Sequence, residues 1–270
     1  MRALICLLLS LPLAHAAAHR FEAGERRIYI YEASQTVNQH TLDEVLEHRS
    51  DLYWEYGLHV MASDADGAEL ELTILRVRAS HRGPAYRESI DSAESLEADT
   101  APLLGHLLGL VQQQLRLRWS NDEGITHVQS DGLPARLAPP GDIRRDNAER
   151  FYGEEALTAL WASILLRPGH AGGDWQTGNE LPLTWTWDGT VYEIRSRTPT
   201  RIQLGAGATA FTASIDQLEG NGSVTIDDQG VLQEASGKTT WRMRFEALTQ
   251  AVEQTHELRW QNLLWRYKGP

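Results

Sequence analysis

Apolar and polar residues alternate with a period of two along much of this chain, a pattern that strands satisfy and helices do not. Ile28 and Ile30 fall opposite Tyr29 and Tyr31. Around Asp66-Gly67 the runs Tyr56-Gly57-Leu58-His59-Val60 and Leu70-Glu71-Leu72-Thr73-Ile74 predict a hairpin. The phase slips at Ile74-Leu75, after which Leu75, Val77 and Ala79 alternate with Arg76, Arg78 and Ser80. Such a slip reads as a β-bulge or as a strand covered on both faces. Trp185 and Trp187 share a face ahead of Asp188-Gly189, residues preferred in a type I′ turn, and Val191-Tyr192 follow. Trp241, Met243 and Phe245 lie on one face with Arg242 and Arg244 on the other, and Leu258 and Trp260 continue the alternation.

Two stretches carry helical spacing instead. After Thr100, a suitable N-cap, and Pro102, suited to a first turn, Leu103, Leu104, Leu107, Leu108 and Val111 form one stripe. Gly105 and Gly109 interrupt it, each costing about 1 kcal/mol relative to alanine, and would let a helix lie close against a sheet. The second stretch follows Asp146-Asn147, where Leu157, Leu160, Trp161, Ile164 and Leu165 match the same template before Arg167-Pro168-Gly169 stops it. The turn sequences Asn121-Asp122-Glu123-Gly124 and Asp227-Asp228-Gln229-Gly230 echo one another, and a Pro/Gly cluster between Leu133 and Arg145 would join two repeats. The expected fold is α+β, mainly antiparallel β. It has two β-rich halves, 19–145 and 146–270, built as curved sheets or a half-barrel and covered by two amphipathic helices, with one compact domain as the alternative.

Residues 1–18 read as a secretory signal peptide. Met1-Arg2 precede the apolar run Ala3–Leu13, and small residues follow at a cleavage point after Ala16 or Ala18. The apolar run is shorter than the roughly 20 residues a spanning helix needs, and no later run is longer, so no transmembrane anchor is expected. The sole cysteine, Cys6, lies inside this leader. The processed chain is therefore expected in the periplasm or beyond, without disulfides, held together by its core alone.

The formal charge of −12 becomes −13 once Arg2 leaves with the leader. Such a surface repels nucleic acid and anionic lipid headgroups, and no basic stripe offsets it. All nine tryptophans lie in the processed chain, where they serve as core or as an aromatic platform for a sugar or an apolar ligand.

Local catalytic signals are absent: there is no Gly-x-Ser-x-Gly elbow, no His-Glu-x-x-His, and Asp64-Ala65-Asp66-Gly67 fits a hairpin turn rather than a calcium loop. Paired carboxylates of the glycosidase kind have no spacing signature, so a secreted hydrolase acting on glycans stays open as an alternative. One metal candidate arises from the leader. Cleavage after Ala16 leaves Ala17-Ala18-His19, whose amine, amides and imidazole could wrap Cu(II), and cleavage after Ala18 makes His19 itself the first residue.

The stretch Phe21-Glu22-Ala23-Gly24-Glu25-Arg26-Arg27-Ile28-Tyr29, the Leu/Gly-rich segment, the Asp-x-x-Gly hairpin, Gly173-Asp174-Trp175 and the Gly-rich hairpin from Gly220 follow one another in an order that resembles an uncharacterised family of bacterial secreted or lipoprotein β-rich proteins. The chain differs from those members that carry a lipobox cysteine. The resemblance implies no activity. The strand pattern is also similar to the half-barrels of periplasmic lipoprotein carriers, which cradle acyl chains, an analogy of fold alone.

These readings favour an exported binding or envelope-associated protein over an enzyme, with lipid or another apolar small molecule as ligand. Leu103, Leu104, Leu107, Leu108, Trp185, Trp187, Trp241 and Trp260 are the candidate lining of its cleft. A structural partner of the cell envelope is the remaining alternative.

Overall fold

The computed structural model describes residues 13–14, 20–41, 44–95, 101, 104–121, 124–137, 148, 152–164, 168–169, 172–176, 182–187, 191–196, 200–204, 211–245 and 252–269. Thirteen strands form one antiparallel sheet: β1 (Arg26–His40), β2 (Val45–Ser63), β3 (Gly67–Arg82), β4 (Arg87–Asp91), β5 (Gln114–Ser120), β6 (Gly124–Gln129), β7 (Gly172–Gln176), β8 (Pro182–Trp187), β9 (Val191–Ser196), β10 (Thr200–Leu204), β11 (Phe211–Ile226), β12 (Leu232–Phe245) and β13 (Val252–Lys268). Their spatial order is β6-β5-β3-β2-β1-β13-β12-β11-β9-β8-β7, with β4 on β3 and β10 on β11. Among the described residues β6 and β7 do not pair, so the sheet is open.

The long strands take their register from the alternation. Tyr29 and Tyr31 on β1, Trp54, Tyr56 and Leu58 on β2, Leu70, Leu72 and Ile74 on β3, and Leu115 and Leu117 on β5 all turn to one face and are buried. The apolar phase of β3 slips where Ile74 pairs with Tyr56 and Arg76 pairs with Glu55, leaving Leu75 as the extra residue of a bulge. Val77, Ala79 and His81 then resume the buried face. One cluster of buried apolar residues runs without a break from Trp119 and Val128 to Trp241 and Met243.

The structure corrects the expected α+β fold of two halves under two amphipathic helices. The thirteen strands form one open sheet, in which β1 joins β13; apart from it Leu13–Ala14 pairs in parallel with Pro168–Gly169. The Leu103–Leu108 stretch forms only a six-residue 3-10 helix, Gly105–Leu110, because its two glycines lie inside it and Val111 turns to extended backbone at φ −63° and ψ 133°. A five-residue helix, α1 (Leu133–Leu137), falls in the segment read as a linker, and α2 (Glu154–Ile164) is the one helix of amphipathic length among the described residues.

Helix α2 lies against the apolar face. Trp161 is buried with its ring 5.7 Å from that of Trp54 and 5.0 Å from that of Tyr56. Asn262 of β13 links the two layers: it accepts from the Tyr56 hydroxyl at 3.0 Å and donates to the Ile164 carbonyl at 3.1 Å. That carbonyl is one of the helix-end acceptors that need an outside donor. Along the helix, Thr158 Oγ1 accepts from the Val128 N–H at 3.0 Å and ties α2 to β6.

Candidate functional site: a polar cluster on the apolar face

Beyond α2 the apolar face continues over β1, β13, β12 and β11 with Val37, Leu258, Trp260, Trp241, Met243, Ile215 and Leu218, all buried. Two-residue alternation from Leu258 and Trp260 brings Gln254, His256 and Asn262 onto the same face. These polar residues were absent from the sequence reading. Their signal was available, since they hold the same parity on β13 as Leu258 and Trp260.

His256 pairs with Trp241 across β13 and β12, and the two rings stack with centroids 4.6 Å apart and 13° between planes. The histidine is 8% exposed. Neither of its ring nitrogens has a hydrogen-bond partner, and the same holds for Trp241 Nε1 and for Thr239 Oγ1, two residues earlier on the same face. Buried polar atoms are almost always satisfied, and each one left unpaired costs about 1–3 kcal/mol. Four such atoms fall within one small area of the apolar face, while Trp54 and Trp161 Nε1 and His81 Nε2 are unpaired elsewhere in the core, so the grouping rather than any single atom marks this area as a candidate. Nearby, Gln254 donates to Gln39 at 3.1 Å and is satisfied within the protein.

Burial pulls the His256 imidazole down to about 4, so it is neutral at pH 7. A neutral imidazole offers one donor and one acceptor, a threonine hydroxyl offers both, and an indole offers a donor. The cluster holds no cation. It fits a neutral group bearing both a donor and an acceptor better than it fits an anion.

This histidine makes stability pH-dependent in a definite direction. Its folded value lies below the ordinary 6.5, so between pH 6.5 and 4 the unfolded chain binds the proton and the folded one resists it. Stability is complete above pH 6.5 and falls as the pH drops towards 4, by about 3 kcal/mol at about 1.4 kcal/mol per unit. His81, pulled down by burial and by the neighbouring His48, acts in the same sense. Urea unfolding of the wild type and of His256→Phe isolates the first residue. The variant should be at least as stable at pH 7, because it removes two unpaired nitrogens. The gap in its favour should widen below pH 6.5; parallel curves would refute the assignment.

The opposite face is a charge ladder. Glu257 takes Lys238 and Arg259, each at 2.7 Å, Asp216 takes Arg244 at 3.0 Å, and Asp51 takes Arg49 at 3.0 Å. An open groove of about 700 Å³ lies here, lined by Glu32, Asp51, Tyr53, Arg78, Asp91 and Arg259 among others. The Arg78 guanidinium covers the Tyr53 ring at 3.9 Å. Burial works to raise the Asp51 carboxyl, but hydrogen bonds from Arg49, Ser34 and Ser80 outweigh it, and a hydrogen bond from Arg76 lowers Asp91. Both stay ionised at neutral pH.

Of the eight residues expected to line a cleft, Leu104, Leu107, Trp241 and Trp260 lie in the single apolar cluster, and Leu108 is buried too. Trp185 and Trp187 are placed by backbone register opposite Ile194 and Tyr192. Leu103 and His19, the latter expected to bind copper, lie outside the described residues. Among the described residues no group of three or more His, Cys, Asp or Glu could hold a metal ion, and no helix is long and apolar enough to cross a membrane.

The N-terminal stretch singled out in the sequence has a structural role. Glu25 pairs with Arg27 at 2.8 Å, Phe21 lies under the Arg27 guanidinium at 4.6 Å and edge-on to Trp119 at 5.2 Å, and Tyr29 stacks on Tyr56 at 5.4 Å. Gly24 sits at φ 90°, a conformation that favours glycine.

No family model and no curated protein matches the chain. Among solved structures it is similar to lipovitellin, described for its lipid–protein interactions, with a TM-score of 0.51 at 10% identity over 92% of this chain. The match spans 26% of the lipovitellin chain. DynF of the dynemicin biosynthesis pathway of Micromonospora chersina aligns at a TM-score of 0.24, with 7% identity over 96% of this chain and 90% of its own. An outer-membrane channel of Pseudomonas putida F1 aligns at 0.22, with 8% identity over 94% of this chain and all of its own. At those two scores the alignments carry no argument. The lipovitellin match concerns fold alone.

Proposed function

We propose that this is an exported, non-catalytic binding protein for an acyl-chain lipid with an uncharged, hydroxyl-bearing head. The observation that carries the reading is the cluster of unpaired buried polar atoms on His256, Trp241 and Thr239, set in an otherwise apolar face. An acyl chain suits the surrounding Met243, Ile215, Leu258 and Trp260, and the head satisfies the polar atoms. The likeness in fold to lipovitellin, a protein described for its lipid–protein interactions, supports the same reading. Periplasmic or secreted location follows from the leader read in the sequence and belongs to the proposal.

Native mass spectrometry of protein purified from its own source should show an acyl lipid bound to the processed chain. Delipidated protein should then take up a monoacylglycerol. Thr239→Val combined with His256→Phe should weaken that uptake about tenfold, the equivalent of losing one or two net hydrogen bonds. A sample free of lipid that binds neither monoacylglycerol nor fatty acid overturns the reading.

A further inference from the structure

The chain as a whole is acidic, yet Leu263 and Trp265, two of its exposed apolar residues, stand beside cations that enter no ion pair among the described residues. Trp265 is 47% exposed and Leu263 40%, both near the end of β13. A bulge between Leu264 and Arg266 leaves Trp265 without a partner on β1, beside Arg266. The Arg266 guanidinium lies 4.2 Å from the centre of the Trp265 ring. Register places Leu263 opposite Ile30, Arg266 opposite Ile28 and Lys268 opposite Arg26 on the face away from the core. Ile28 in turn neighbours Gly57, and Leu75 Cδ1 lies over that glycine, 3.8 Å from where a Cβ would stand. The result is an apolar strip of Leu75, Ile28, Ile30, Leu263 and Trp265 on a sheet face that is otherwise polar.

Charge is ordered along the strip. Arg26, Arg266 and Lys268 stand at its rim, and among the described residues none of them enters an ion pair. Elsewhere on this face Arg49, Arg76, Arg244, Arg259 and Lys238 are matched to carboxylates, whereas Arg78, which covers the Tyr53 ring, and Arg116 and Arg118 on β5 enter no ion pair among the described residues. The carboxylates near the strip are Glu55 and Glu234, which flank the Ile30–Leu263 row, Glu32, which follows Ile30 on the same face and accepts from Gln261 at 2.8 Å, and Glu71, which stands opposite His59 in the Arg26 row, so the cations gather at one end of the strip and the carboxylates along its other side.

We propose that this strip is a docking surface for an anionic membrane, with Trp265 and Leu263 seated at the headgroup level and Arg26, Arg266 and Lys268 on lipid phosphates. Tryptophan prefers that interface because its ring is apolar and its N–H is wet, and long cationic side chains reach from an apolar surface to the headgroups. The cations give the surface its preference for anionic lipid, against the repulsion of the acidic body. The contact is peripheral and does not depend on any ligand bound at the opposite face.

The test is sedimentation of the processed chain with vesicles of phosphatidylglycerol and phosphatidylethanolamine, and with vesicles of phosphatidylcholine alone. Binding is expected to the anionic vesicles, weakening as salt rises. Leu263→Ser with Trp265→Ser should abolish it, and Arg266→Glu with Lys268→Glu should lower it at least about tenfold. All four positions are at the surface, so thermal melting should be unchanged and monoacylglycerol uptake retained, which separates this proposal from the one above. Three results would each overturn it: no binding to anionic vesicles, binding unaffected by both pairs of changes, or a dimer of the wild type that Trp265→Ser dissociates, which would make the strip a contact between copies.

Discussion

Glu25→Ala is expected to destabilise the protein by about 3–5 kcal/mol, the cost of stranding a buried charge by removing its partner. Glu25 and Arg27 are both 1% exposed. The guanidinium donates to Glu25 through Nε at 2.8 Å and through Nη2 at 3.0 Å, and Nη2 also reaches the Arg20 carbonyl. Glu25 Oε2 accepts in addition from the Glu22 N–H at 3.0 Å. Without the carboxylate, Arg27 keeps its charge, because its pKa is too high for neutralisation to relieve the burial. The residue sits at an apolar-face position of β1, beside Tyr29, and cannot reach water without breaking the sheet. The pair also pins the chain ahead of β1: Gly24 N–H donates to the Val60 carbonyl at 2.8 Å and Val60 N–H to the Glu25 carbonyl at 2.9 Å. Urea unfolding of Glu25→Ala, Arg27→Met and the double variant completes the argument. Replacing both charges should recover much of the loss, since an apolar pair carries no desolvation cost. A single variant within about 1 kcal/mol of wild type would show that water reaches the guanidinium.

Trp161→Ala should cost a similar amount, about 3–5 kcal/mol, through the cavity it leaves. Its ring is 0% exposed and wedged between Trp54 and Tyr56. The loss should show as a different signature from that of Glu25→Ala. Near-ultraviolet circular dichroism from the packed rings should weaken, and α2 should become sensitive to proteolysis while the β-sheet signal persists. Asn262 would then hold the Ile164 carbonyl with little packing behind it. Trp161→Phe, which keeps an aromatic body against Tyr56, should lose markedly less. Equal losses in the two variants would mean that α2 is held by its hydrogen bonds to Asn262 and Val128 rather than by the indole.

Parts of this architecture are legible in the residues because their cause is local. The hairpin at Asp64–Gly67, the Leu75 bulge, the Leu157–Ile164 helix and the face shared by Trp241 and Met243 all follow from side-chain parity or turn chemistry. The 3-10 helix at Gly105–Leu110 shows where the same reasoning fails. Its leucine stripe has helical spacing, but the glycines inside it weaken the helix and the leucines reach the core without a longer one. The cluster on His256 was hidden for another reason. Parity alone would have put His256 on the apolar face, yet nothing local says that Thr239 and Trp241 stand across from it. The basic rim by Trp265 was hidden by averaging, since a net charge of −12 contains no information about where three unpaired cations sit.

What the residues determined unaided is therefore the strand-dominated character of the chain, the parity of its long strands and the position of the helix at Glu154–Ile164. The tertiary structure alone decided that the long strands share one sheet, that β1 pairs with β13, and that His256 meets Trp241 while Gln39 meets Gln254 across 215 positions of sequence. The division has a physical cause: alternation and turn preference are set by neighbours a few residues away, whereas the choice of pairing partner is set by burying every apolar face at once.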